Sequence, residues 1–78
     1  MKSSLSFLII EDDKYARLNL REILRPYGVI DEATNLEEAK SRLSGTLYDI
    51  VLTDIELGEG SGIDLIAMVV KKGSHCIV

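Results

Sequence analysis

Apolar residues in this chain fall alternately into short unbroken runs and helix-spaced stripes. Leu5 to Ile10 contains the first run, Phe7-Leu8-Ile9-Ile10, and four consecutive apolar residues predict a strand buried on both faces. Asp13 to about Leu24 predicts a helix. Ala16, Leu20, Ile23 and Leu24 share one side of it, and Arg17 and Arg21 are expected on the other. Pro26 and Gly28 stop that helix. Val29 to Ala33 predicts a weaker strand, interrupted by Asp31 and Glu32 and therefore suited to a sheet edge. Asn35 is a candidate cap for the next helix, with Glu38 three residues on as its reciprocal partner. Leu36, Ala39 and Leu43 form the buried stripe there, and Gly45 ends it. Tyr48 to Thr53 predicts a third strand around Ile50, Val51 and Leu52. After a glycine-rich loop, Ser61-Gly62-Ile63-Asp64 has the pattern of another capping box. Ile63, Ile66, Val69 and Val70 would supply the core stripe of the helix it opens. Lys71 and Lys72 suit the end of that helix by its dipole, and Gly73 by a left-handed cap. His75 to Val78 begins a fourth strand.

Strands alternating with helices predict an α/β chain built around a parallel sheet. Seventy-eight residues allow one domain at most. A composition of 46% apolar and 28% charged residues is that of a globular chain. One cysteine, Cys76, excludes an internal disulfide framework, and one histidine, His75, excludes a Cys/His zinc site. Cys76 reads as a small hydrophobe within a strand, and His75 as a solvated residue at its start. Thirteen acids against nine bases give a net charge of −4, which argues against nucleic-acid binding by phosphate neutralisation. The apolar runs Phe7 to Ile10 and Leu65 to Val70 are too short to cross a bilayer. The N-terminal run meets Glu11-Asp12-Asp13 with no cleavage pattern, so no secretory signal is read and a cytoplasmic address is expected. Arg17, Arg21 and Arg25 read as a solvated basic face, and Tyr15, Tyr27 and Tyr48 are too scattered for a stacking platform.

The chemistry lies in the acids. Glu11-Asp12-Asp13 closes the first strand, and Asp54, followed by Ile55 and Glu56, closes the third. In an open parallel sheet, ligands bind outside the carboxyl ends of the strands, near the point where strand order reverses. If the two strands are neighbours, their carboxylates converge, repel one another and call for a cation. Oxygen-only ligation favours a hard ion, Mg²⁺ before Ca²⁺. A carboxylate beside Mg²⁺ is also a competent nucleophile towards phosphorus. The plain alternative is that Asp12 or Asp13 caps the first helix and Asp54 is a turn residue.

The run Phe7 to Asp13, the segment Tyr48 to Asp54 and the stretch Ile55 to Leu65 resemble the receiver domains of two-component response regulators. The resemblance covers essentially all of the chain in order. It implies a flavodoxin-like fold with sheet order 2-1-3-4 and, for Asp54, the role of phosphoacceptor from a sensor histidine kinase or phosphotransfer domain. It implies that Asp12 and Asp54 bind Mg²⁺ directly, Glu11 through water, and Glu56 through its backbone carbonyl. Asp13 is the frequent acidic follower, and Gly62 stands where the family commonly has glycine before the third helix. The resemblance also implies a signalling domain rather than an enzyme, assisting at most its own phosphorylation and dephosphorylation. There are departures. Gly58 stands where the family often has proline, which implies a loop that is harder to order. The family's switch Ser or Thr and its Lys have no counterpart, so residues 1–78 are expected to be a receiver domain cut within strand four, an incomplete βαβαβαβ unit.

Three rival readings follow from the residues. Gly58-Glu59-Gly60-Ser61-Gly62 suggests a dinucleotide cradle, but Ile63 falls where the third glycine belongs. Glu11 with Asp54 and Glu56 resembles the acid set of toprim-like phosphoryl-transfer domains, against which the acidic balance weighs. Finally, an exposed fourth strand would invite strand pairing between chains, making the chain a self-associating unit without signalling competence.

Overall fold

The computed structural model describes residues 5–53, 67, 69–71, 73 and 75–77. In chain order these form β1 (Leu5–Ile10), α1 (Lys14–Leu24), a short 3₁₀ turn (Arg25–Tyr27), β2 (Gly28–Ala33), α2 (Leu36–Gly45), β3 (Ile50–Thr53) and β4 (His75–Ile77). Residues 67 and 69–71 are helical and precede β4. The strands form one parallel sheet in the order β2-β1-β3-β4. This is the flavodoxin-like arrangement expected, with β1 inside the sheet and β2 at an edge.

β1 is the centre of the molecule because its run is apolar on both faces. Phe7, Leu8, Ile9 and Ile10 are all buried. Leu8 and Ile10 belong to a core with Ala33 of β2, Leu36, Ala39 and Leu43 of α2, and Val51 of β3. Strand alternation turns Phe7 and Ile9 to the opposite face. Leu36, Ala39 and Leu43 are the stripe expected of α2, and Asn35 caps that helix by accepting from the Glu38 N–H at 2.8 Å. The return bond is displaced by one residue: Glu38 Oε1 accepts from the Thr34 N–H at 3.2 Å. Gly73 adopts φ +82°, and its N–H donates to the Val70 carbonyl at 3.0 Å, the left-handed cap expected there.

Four expectations need correction. Arg17 and Arg21 do not form a solvated outer face of α1; both are half-buried and pair with Glu32 of β2. The helix is rolled towards that partner, which leaves Ile23 57% exposed and α1 without a fully buried residue. Val70 is exposed while its neighbour Val69 is buried, so only one of the two belongs to the core. β3 begins at Ile50 rather than Tyr48. The Asp49 N–H donates to the Ser6 carbonyl and to Ser6 Oγ, each at 3.0 Å, and Asp49 Oδ2 accepts from the Ser6 N–H at 2.8 Å. That clamp fixes the chain just before the ladder starts. The expectations for the glycine-rich loop, Gly62, Ile63 and Ile66, and for the side chains of His75 and Cys76, lie outside the described residues.

Candidate functional site

β1 and β3 are parallel neighbours, and Ile10 stands opposite Thr53. The two strands therefore finish level. In the sequence the next residues are Glu11 on one and Asp54 on the other. β2 lies on one side of β1 and β3 on the other, so strand order reverses here, the place outside the carboxyl ends where open parallel sheets bind ligands.

The β1–α1 loop is held residue by residue. The Glu11 N–H donates to the Ala33 carbonyl at 3.0 Å, carrying the β1–β2 pairing one step past the strand. Glu11 Oε1 accepts from the Asp13 N–H at 3.1 Å. Asp13 has extended backbone and caps α1, its Oδ1 accepting from the Tyr15 N–H at 3.0 Å. The Arg17 N–H then donates to the Asp13 carbonyl at 3.0 Å, the first bond of the helix. Asp13 thus has a structural duty in the loop. Asp12 differs: it is exposed, and among the described residues its carboxylate has no hydrogen-bond or ion-pair partner. Arg17 binds the loop through main-chain carbonyls, Glu11 at 3.0 Å and Asp12 at 3.4 Å, and leaves the carboxylates alone.

Both acids that interrupt β2 have partners, on opposite faces as strand alternation requires. Asp31 accepts from the Tyr48 hydroxyl at 2.6 Å. Burial, then the hydrogen bond and the charge of Asp31, push the Tyr48 hydroxyl above the ordinary tyrosine pKa. Glu32 accepts from Arg17 Nε at 3.3 Å and from Arg21 Nη1. The opposite charges of α1 and β2 are the signal in the sequence for this pair, although helical spacing alone places the arginines on the surface. Thr53 carries no comparable signal. It is 6% exposed, and its Oγ1 has no hydrogen-bond partner among the described residues, one position before Asp54.

Of the expected site, Glu11, Asp12 and Asp13 lie on one loop at the end of β1. Asp54, Glu56 and Gly62 lie outside the described residues, among which no three Asp, Glu, His or Cys side chains form a metal cage. The donors that are described fit a hard divalent cation. They are carboxylate oxygens at the switch point of the sheet, and the nearby arginines are engaged with Glu32 and with carbonyls.

A parallel sheet of this order, with acids following β1 at its switch point, defines a flavodoxin-like α/β domain. The response regulator receiver domain profile matches residues 7–78, and the chain belongs to that family. It is 44% identical over 68 residues to the sensory transduction protein LytR of Staphylococcus haemolyticus, covering 83% of this chain and 26% of LytR. To the chemotaxis protein CheY of Thermotoga maritima it is 38% identical over 66 residues, covering 82% of this chain and 55% of CheY. A solved structure, the N-terminal domain of a response regulator/sensory box/GGDEF protein from Carboxydothermus hydrogenoformans, superposes with a TM-score of 0.74 at 35% identity. It covers 85% of this chain and 55% of that one. The chain thus spans about a quarter of LytR and about half of CheY. Membership decides for a two-component signalling domain against the toprim-like alternative. Receiver domains generally bind Mg²⁺ at the site of phosphorylation and interact with histidine kinases or phosphotransfer proteins. No helix among the described residues is long and apolar enough to cross a membrane.

Proposed function

We propose that the chain is the phosphoacceptor part of a cytoplasmic response regulator, with residues 1–78 forming the first portion of its receiver domain. Asp54 accepts a phosphoryl group from a phosphohistidine on a sensor kinase or phosphotransfer domain. An Asp54 carboxylate oxygen forms the new bond to phosphorus as the phosphorus–nitrogen bond breaks in line with it, and the freed imidazole takes a proton from solvent. Asp12 and Asp54 would hold Mg²⁺ directly, Glu11 through water and Glu56 through its carbonyl. Bound Mg²⁺ would supply charge neutralisation on the phosphoryl oxygens. The role of the chain's own residues is positioning, so the domain is a signalling acceptor rather than an enzyme. The observation that supports this reading is the level finish of β1 and β3 at Ile10 and Thr53, from which both acid runs start.

Phosphoramidate labelling tests it. The folded chain is expected to gain one phosphoryl group when Mg²⁺ is present and none in EDTA, and Asp54→Asn is expected to remove the label. A label of equal size on Asp54→Asn would refute the assignment.

A second reading, self-association through β4, draws on the edge position of that strand in the four-stranded sheet. Sedimentation at micromolar concentration is expected to show a species heavier than one chain; a clean folded monomer rules this reading out.

A further inference from the structure

The loop carrying Glu11 and Asp12 is tied down from outside by one side chain. Arg17 stands on the first turns of α1, and its Nη1 donates to the carbonyl oxygens of Glu11 at 3.0 Å and Asp12 at 3.4 Å. Its Nε donates to Glu32 Oε1 at 3.3 Å, and Arg21 takes the other oxygen of that carboxylate. The Arg17 and Glu32 side chains are 17% and 27% exposed, so the cluster is partly shielded from water. A planar guanidinium can hold two carbonyls and a carboxylate together, which a lysine ammonium on a flexible stem does less well. The two carbonyls belong to the peptide planes on either side of Asp12. Holding both planes fixes the backbone of Asp12, and with it the direction in which its side chain leaves the loop.

We propose that Arg17, steadied by Glu32, is a positioning residue that holds the peptide planes flanking Asp12 and so aims its carboxylate at the divalent cation. This rests on the reading of Glu11 and Asp12 as cation ligands. It carries an opposite sign from simple electrostatics. A positive charge beside a cation site repels the cation, so removing it would tighten binding if charge were its only effect. Loss of a support should weaken binding, as happens when groups that orient metal ligands are removed.

The test is calorimetric titration of the full chain with Mg²⁺ alone, for wild type, Arg17→Gln, Arg17→Lys and Glu32→Gln. Amide hydrogen exchange at residues 11–13 is measured alongside, without metal. Arg17→Gln is expected to weaken Mg²⁺ binding about tenfold, the lower end of what such supports contribute, and to speed exchange at Asp13 while β1 stays protected. Arg17→Lys keeps the charge and is expected to fall between Arg17→Gln and wild type. Glu32→Gln is expected to weaken binding by a smaller factor. Binding by folded Arg17→Gln equal to or tighter than wild type, with unchanged exchange, overturns the proposal. Should Arg17→Gln not fold, Arg17→Lys and Glu32→Gln decide it by the same two readouts. A wild-type chain that binds no Mg²⁺, yet shows exchange at Asp13 governed by Arg17, overturns the cation reading and leaves the support of the loop standing.

Discussion

Tyr48 is 3% exposed, and its hydroxyl donates to Asp31 at 2.6 Å. Ionising that hydroxyl would place two negative charges side by side in a partly dry setting, so burial and then the Asp31 carboxylate raise its pKa above the ordinary value. The linkage has a definite sign. A raised folded pKa gives stability that is fully present below the unfolded tyrosine pKa of about 10, and that is lost as pH rises through the folded value. Tyr48→Phe is therefore expected to lose about 1 kcal/mol at neutral pH, the scale of one hydrogen bond. Its stability should then decline less than that of wild type above pH 10, as chemical denaturation across the alkaline range would show. An equal alkaline decline in both would exclude Tyr48 as a source of it. At this scale caps are legible in the sequence: Asn35 does what a cap with Glu38 three residues on should do. The partner of Asp31 is not legible, and for Glu32 only opposite charge points to the arginines, because the partners lie 17, 15 and 11 residues away and depend on which face of β2 meets which element.

Elements follow from the sequence where one apolar pattern suffices, as for β1 and α2. They follow less well where a polar partner settles the placement. Helical periodicity fixes the angles between Ala16, Arg17, Leu20 and Arg21 on α1, but not how the helix rolls on the sheet. Glu32 settles the roll by drawing Arg17 and Arg21 inward, and Ile23 turns to solvent. Likewise β3 loses Tyr48 and Asp49 to bonds with Asp31 and Ser6, 17 and 43 residues away in sequence, that period-two reading does not register. Gly28 makes a sharper statement at this scale. It opens β2 opposite Leu5, and a Cβ added there would lie 1.8 Å from the Leu5 carbonyl oxygen. The contact is to backbone, so β1 and β2 would have to part at their first rung. Gly28→Ala is expected to destabilise the chain by about 3 kcal/mol. In a domain this small that is a large share of the total, and thermal melting followed by circular dichroism would register it. An unchanged midpoint would contradict the close pairing described.

The whole molecule is organised so that one buried strand delivers acids to a switch point. β1 is covered on both faces, pairs with β2 and β3, and ends in Glu11-Asp12-Asp13. The strand order comes from the family resemblance, and the apolar run that ends in Glu11-Asp12-Asp13 is enough to place those acids at the end of β1. The division of labour within the loop is legible only in part: a cap at Asp12 or Asp13 is expected and Asp13 supplies it, but not that the Asp12 carboxylate stays without a partner among the described residues while Arg17 fastens the backbone. These roles depend on a helix roll and a cross-sheet ion pair that spacing does not encode. At this scale the central claim is that Asp54 takes the phosphoryl group. It is tested most directly by treating the folded chain with phosphoramidate and Mg²⁺, reducing the product with borohydride, and mapping the modified peptide by mass spectrometry. The expected result is a single reduced aspartyl site at Asp54, absent in EDTA and in Asp54→Asn. No trapped acyl phosphate on the folded, Mg²⁺-loaded chain, or trapping at another residue, would contradict it.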